Sequence, residues 1–269
     1  MMNANIYKYK TDAITEWTIV ETIAIKHKIK DISAAYRYTV ILTENGEIFQ
    51  CGKIIQTVCN KFERIEVESC VKFKGIKCGQ CHTLLIDMDH ELWSFGSNNH
   101  GQLGQGNYND EYHPSKIKFF SDKKIKIGQI GCGADHNIIV DKAKGAVYCW
   151  GDNRKFQCGS GSDQQKSHNL PQKVNLFSLQ NKVIIDIKAG RHHNVAKSKQ
   201  NKWYLWGFNQ WNQCLSYVLS DHKHIQMPRE FKPKLLGKDQ DIIDIIPGDN
   251  DTKVVTRKKK EEKDCNEIK

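Results

Sequence analysis

Hydrophobic and polar positions alternate along this chain in short runs. The runs VILT and EIFQC, at residues 40–43 and 47–51, flank Asn45-Gly46, a dipeptide that favours a two-residue hairpin turn. Similar paired runs turn at residues 87–90, 142–145 and 199–201. In the second run of each pair, Phe49, Trp93, Tyr148 and Tyr204 stand two residues before Cys51, Phe95, Trp150 and Trp206. Residues two apart share one face of a strand, so this spacing stacks a column of large side chains on one face of every hairpin. Upstream apolar stretches such as residues 183–187, VIIDI, add one or two more strands. Each unit then holds about four short antiparallel strands. Such a unit leaves an apolar face open and must pack against its neighbours.

The hairpins recur with fixed landmarks. Gly79 opens GQCHT, Gly133 opens GADHN and Gly190 opens GRHHN, with weaker copies at Ala35 in AYRYT and Gly248 in GDNDT. Successive copies lie 44, 54, 57 and 58 residues apart. A second glycine closes the aromatic strand of the first four copies: Gly52, Gly96, Gly151 and Gly207, at offsets of 17, 17, 18 and 17. Pro114, Pro171 and Pro228 precede the first landmark by about 19 or 20 residues and are expected to start the extended segment that leads into it. Repeats of four-stranded units pack radially, so the expected fold is an all-β β-propeller of four-stranded antiparallel blades with about five repeat units. The units centre near residues 35, 79, 133, 190 and 248, and the repeat region is expected to span residues 1–256. Residues 257–269, rich in Lys and Glu, read as a charged disordered tail. The fifth unit is short. Residues 6–9, IYKY, alternate and are the candidate strand to pair with residues 253–256 and close the ring. An open arc, or a ring completed by another chain, is the alternative.

The register also decides a misleading motif. Cys78-Gly79-Gln80-Cys81-His82 has the form of a haem-attachment or half-zinc sequence. In the repeat, Cys78 stands in a small-residue column with Cys132, Ala189 and Ala34, and Cys81 stands in a variable column with Asp135, His192 and Arg37. His82 stands with His136, His193 and Tyr38, so these histidines are expected to hydrogen-bond between strands. No second C-x-x-C completes four zinc ligands. The reading is therefore no cofactor and no metal site.

After the closing glycine, FGSNNHGQLGQG at residues 95–106 is echoed from Gly151 and from Gly207. With CGQCHT upstream and Pro114 downstream, this segment resembles the regulator-of-chromosome-condensation repeat family, across about residues 15 to 256. The copy at Ala35 departs most, with Tyr38 in place of the histidine and no Gly-Gln-Leu-Gly segment. The resemblance implies a propeller, usually seven-bladed, that serves as a protein-binding platform. Some members of the family are guanine-nucleotide exchange factors for Ran-type small GTPases; others bind chromatin, belong to ubiquitin ligases or act as scaffolds. In the exchange factors, the loop between the first glycine and the histidine reaches the GTPase with acidic residues and a histidine. The matching positions here are Asp135, His192 and Asp249. Gln80, Cys81 and Arg191 depart from that pattern, and Arg191 places a basic group on the same loop set.

Composition widens the list of partners. The 269 residues carry 41 Lys and Arg against 31 Asp and Glu, a formal charge of +10, which favours acidic partners. Lys123-Lys124 and Lys258-Lys259-Lys260 keep DNA or chromatin binding as one reading. No apolar stretch approaches the about 20 residues of a membrane span. Ten cysteines behind a polar N-terminus suggest a reduced compartment, cytoplasmic or nuclear. No P-loop, G-x-S-x-G or paired-carboxylate motif points to covalent catalysis. Trp211 replaces a polar loop residue, and either marks a binding patch or packs on Phe208. The partner-binding candidates are thus Asp135, His192, Asp249, Trp211 and Arg191. Gly79, His82, Gly96, Gly133, His136, Gly151, Gly190, His193 and Gly207 are the structural positions of the repeat. Three readings follow: a propeller that binds, and at most activates, a small GTPase; a passive scaffold or ligase-recruitment module; and a chromatin-binding propeller.

Overall fold

The computed structural model describes residues 28–67, 71–161, 165–175, 177, 180–215, 223–233 and 240–258. The strand expected at residues 6–9 lies outside them. Four sheets are four-stranded and wholly antiparallel, with strands in chain order across each sheet. The first holds β1 (Ile29–Ala34), β2 (Tyr38–Thr43), β3 (Ile48–Ile54) and β4 (Thr57–Arg64). The second holds β5 (Phe73–Cys78), β6 (His82–Asp87), β7 (Leu92–Gly96) and β8 (Glu111–Lys116). The third runs β9 (Ile127–Cys132), β10 (His136–Asp141), β11 (Val147–Asp152) and β12 (Ser167–Lys173). The fourth runs β13 (Ile184–Ala189), β14 (His193–Ser198), β15 (Trp203–Phe208) and β16 (His224–Glu230). The fifth sheet holds β17 (Gln240–Pro247) and β18 (Thr252–Lys258). Arg257 and Lys258, assigned from sequence to the tail, pair with Asp241 and Gln240 instead.

The first strand of each unit packs beside the first strand of the next: β1 on β5, β5 on β9, β9 on β13, β13 on β17. No comparable junction joins β17 to β1 among the described residues. The second strand of each of units two and three is buried at every residue. The core lies between sheets, in three clusters. Tyr38, Val40 and Leu42 of unit one meet Phe73, Ile76 and Phe95 of unit two. Leu84 and Leu92 of unit two meet Ile139 and Trp150 of unit three. Ile138 and Cys149 of unit three meet Trp206 of unit four, and the same cluster reaches Ile245 of unit five.

The closing glycines have a local cause. The ladder slips one residue before each of them, at Gln50/Gly52, Ser94/Gly96, Cys149/Gly151 and Leu205/Gly207. The four glycines hold φ of +107°, +117°, +97° and +108°, a region that side chains avoid. A Cβ on Gly96 would also stand 2.5 Å from the Cys81 carbonyl oxygen. The bulge bends the third strand and sends the loop back over the end of its own hairpin.

Two features differ from the sequence reading. Pro114, Pro171 and Pro228 do not start the segment leading to the next glycine; each sits inside the fourth strand of the preceding sheet. That strand is the outer edge, where an absent N–H breaks no ladder. The connection from unit two to unit three also contains a helical turn, α1 (Lys118–Asp122). It drives Phe120 against Tyr148 and Trp150 at 5.6 and 5.7 Å between ring centroids. Phe177 does the same for Tyr204 and Trp206 at 5.2 and 5.9 Å.

Candidate functional site

One end of every hairpin carries both landmarks: the turn between first and second strands, and the long loop after the third. There the histidines join sheets rather than strands of one sheet. His82 Nε2 donates to Asn137 Oδ1 of the next unit at 2.8 Å, His136 Nε2 to Asn194 Oδ1 at 3.0 Å, and His193 Nε2 to Thr252 Oγ1 at 2.8 Å. The orientation of each acceptor is fixed by its other bond. Asn137 Nδ2 donates to the Gln102 carbonyl at 2.7 Å, Asn194 Nδ2 to that of Gln157 at 2.8 Å, and Thr252 Oγ1 to that of Gln213 at 2.6 Å. Trp150 and Trp206 give their indole N–H to the same Gln102 and Gln157 carbonyls. Burial pushes His136 and His193 down to about 4 and lowers His82, so all three are neutral near pH 7. In unit one Tyr38 takes over, its hydroxyl reaching the His82 carbonyl and Thr83 Oγ1.

The first glycine of each copy makes room for this relay. A Cβ on Gly133 would lie 2.1 Å from His136 Cε1 and 2.8 Å from the Gly190 carbonyl oxygen; Gly79 and Gly190 are equally tight. The residues after these glycines form a collar of backbone hydrogen bonds. Gln80 N donates to Ala134 O at 2.9 Å, Ala134 N to Arg191 O at 2.9 Å, and Arg191 N to Gly248 O at 3.2 Å. The collar surrounds a cavity of about 660 Å³ walled by small residues, including Ala35, Cys78, Gly133 and Gly190. Cys78 and His82 part ways here: the Cys78 thiol donates to the Ser33 carbonyl, while the His82 ring reaches away to Asn137.

Of the partner-binding candidates, Arg191 and Asp249 line the cavity and are exposed. Asp135 and His192 sit one residue further on, half-buried behind the collar. Their carbonyls receive the N–H of Asp152 and of Phe208, which ties each turn to the loop of its own unit. His192 packs its ring edge-on to Phe208 at 6.3 Å. Burial, with Lys155, His136 and Arg191 nearby, pushes it down to about 3. Trp211 is 66% exposed and outside the cavity lining; the ring of Phe208 is occupied instead by His192, His224 and Lys155. The loops themselves are held by repeated bonds: Leu103 N to Asn98 Oδ1, Cys158 N to Asn153 Oδ1 and Cys214 N to Asn209 Oδ1.

These features define a class, a repeat propeller whose units are stitched by histidines around a central collar. Two family models, both described as the regulator of chromosome condensation (RCC1) repeat, match residues 89–140 and 144–196, and residues 73–102 and 128–157. The X-linked retinitis pigmentosa GTPase regulator of Mus musculus is 28% identical over 71% of this chain and 18% of its own length. The ultraviolet-B receptor UVR8 of Arabidopsis thaliana is 30% identical over 56% of this chain and 33% of its own length. Among solved structures, yeast RCC1 (Prp20) bound to Kap60 superposes with a TM-score of 0.71 at 21% identity, over 87% of this chain and 55% of that one. A second structure of Prp20p, from Saccharomyces cerevisiae, gives 0.62 at 18% identity over 88% and 70%. The chain thus spans a third or less of these two curated relatives. Residues 73–140 and 144–196 carry repeats of the regulator-of-chromosome-condensation family, and the sheets share the propeller fold of the yeast structures.

Proposed function

We propose that the collar face docks a protein partner, a small GTPase of the Ran type, and loosens its nucleotide. The observation that carries this reading is the collar. It fixes the backbone of units two to five around one opening and projects Arg191 and Asp249 from adjacent units at its mouth. Asp135 stands one position deeper on the same rim. A rigid backbone with variable polar side chains suits a docking platform, since the ordering cost is already met by the fold. The solved structure of the similar Prp20p reports binding to Gsp1p and to histones. An acidic side chain here acts without covalent chemistry: it competes with nucleotide phosphate for the basic groups that hold it.

The test is capture from eukaryotic cytosol by the full chain, with nucleotide stripped by EDTA in one arm and a GTP analogue added in the other. The expected result is a small GTPase retained only when stripped, and lost with Asp135→Ala combined with Asp249→Ala. A partner retained regardless of nucleotide would make the chain a scaffold and overturn the exchange reading.

A further inference from the structure

A second feature of this face lies off the cavity, where unit three meets unit four. The Lys155 ammonium sits 4.6 Å above the Phe208 ring. His224 packs beside it, 5.8 Å from Phe208 and 5.6 Å from Phe156 between ring centroids. His192 meets Phe208 edge-on at 6.3 Å, with its Nδ1 buried and without a hydrogen-bond partner. Arg191 stands exposed at the rim, and the loop leaving Phe208 carries Trp211, 66% exposed. Among the described residues neither Lys155 nor Arg191 has an ion pair, whereas the adjacent Arg154 is held by Asp152 at 2.7 Å. Asp152 also acts on Lys155 and His192, but its carboxylate is held by Arg154, so Lys155 and Arg191 are the cations of the notch left without an ion pair among the described residues. Burial first, then the charges of Arg191 and Arg154, lower Lys155, and burial with Lys155 close by lowers His192 and His224. A bound anion offsets the repulsion between Lys155 and its neighbours Arg191 and Arg154.

We infer that this notch binds a short acidic peptide segment of a partner protein, its carboxylates paired with Lys155 and Arg191 and an apolar side chain laid against the exposed Trp211. Carboxylate pairing to a partly desolvated cation is favourable, and an exposed tryptophan beside it supplies the apolar anchor common to peptide-binding hot spots. A nucleic acid fits less well. Asp135 and Asp249 on the same face repel a continuous phosphate chain, while a short peptide stays clear of them. The inference rests on reading this face as a docking surface, and it names the chemistry of one contact.

The test is fluorescence anisotropy with a labelled Glu-Asp-Phe-Glu-Glu-Leu peptide and the full chain. Lys155→Glu and Arg191→Glu are each expected to weaken binding about tenfold, Lys155→Gln less, and Trp211→Ala several-fold. Asp135→Ala combined with Asp249→Ala should leave peptide binding unchanged while it abolishes GTPase capture. Peptide binding without GTPase capture would sink the exchange reading and keep this one. No binding to wild type, equal binding by Lys155→Glu, Lys155→Gln and wild type, or tighter binding of a single-stranded oligonucleotide would each overturn the notch as an acidic-peptide site.

Discussion

His136 Nε2 and Asn194 Oδ1, 58 residues apart in the chain, meet at 3.0 Å and join the third sheet to the fourth. Both side chains are fully buried, so removing one strands the other without water. His136→Ala should lower unfolding stability by about 2–4 kcal/mol, from the lost bond and the space left behind. In a double-mutant cycle with Asn194→Ala, measured by urea unfolding, the pair should couple by about 1 kcal/mol. Additive losses would mean that the two side chains act separately.

Acid should loosen the same junctions. His136 and His193 titrate at about 4 in the folded chain because burial disfavours the charged ring, against about 6.5 when unfolded. Above pH 6.5 both states are neutral and the contribution is fully present. Between about pH 6.5 and 4 the unfolded chain takes up protons that the folded chain refuses, so stability falls by up to about 3 kcal/mol per histidine. Urea midpoints measured across that window should drop steadily, and replacing both histidines with glutamine should flatten the slope.

Two glycines should respond in opposite ways to alanine. Gly133→Ala drives a Cβ to 2.1 Å from the His136 ring and 2.8 Å from the Gly190 carbonyl. A loss above about 3 kcal/mol is expected, because the backbone of the collar has to move. Gly75→Ala meets only Ile86 side-chain atoms at 3.7 Å and beyond, with no positive φ; its stability should stay within about 1 kcal/mol of the parent. Thermal melts of the two variants side by side check the contrast.

Much of this architecture was readable in the chain. Period-two alternation around Asn45-Gly46 and the column Phe95, Trp150, Trp206 gave the hairpins and their buried face, and the spacing of glycines gave the units. What stayed hidden depends on neighbours that no local pattern encodes. The histidine column was visible, but its acceptors are the next unit's Asn137, Asn194 and Thr252. The signal was present in the residue after each histidine position, HT, HN, HN and DT, and its meaning needs the sheets placed side by side. The prolines were misassigned because an edge strand and an incoming strand share extended backbone. The helical turn Lys118–Asp122 was missed since five residues are too few to show a helical period. At the site, Arg191 and Asp249 came to the cavity as loop residues do, while the notch around Phe208 gathers residues from four separate elements and left no contiguous motif.

That short turn offers a further check. Phe120 is fully buried between Tyr148 and Trp150. Phe120→Ala should cost about 3–5 kcal/mol and shift tryptophan emission to the red as Trp150 loses its cover. An unchanged spectrum would place the helical turn away from the junction.

The collar and the histidine relay link each unit only to the one that follows it. Load applied along the chain would therefore not be shared by the whole molecule. Pulled from the β18 end, it would first shear the His193–Thr252 contact and the Arg191–Gly248 bond together. The next junction would bear strain only after that one had yielded. Extension would proceed in discrete steps, one per junction, as in a line of catches released from one end.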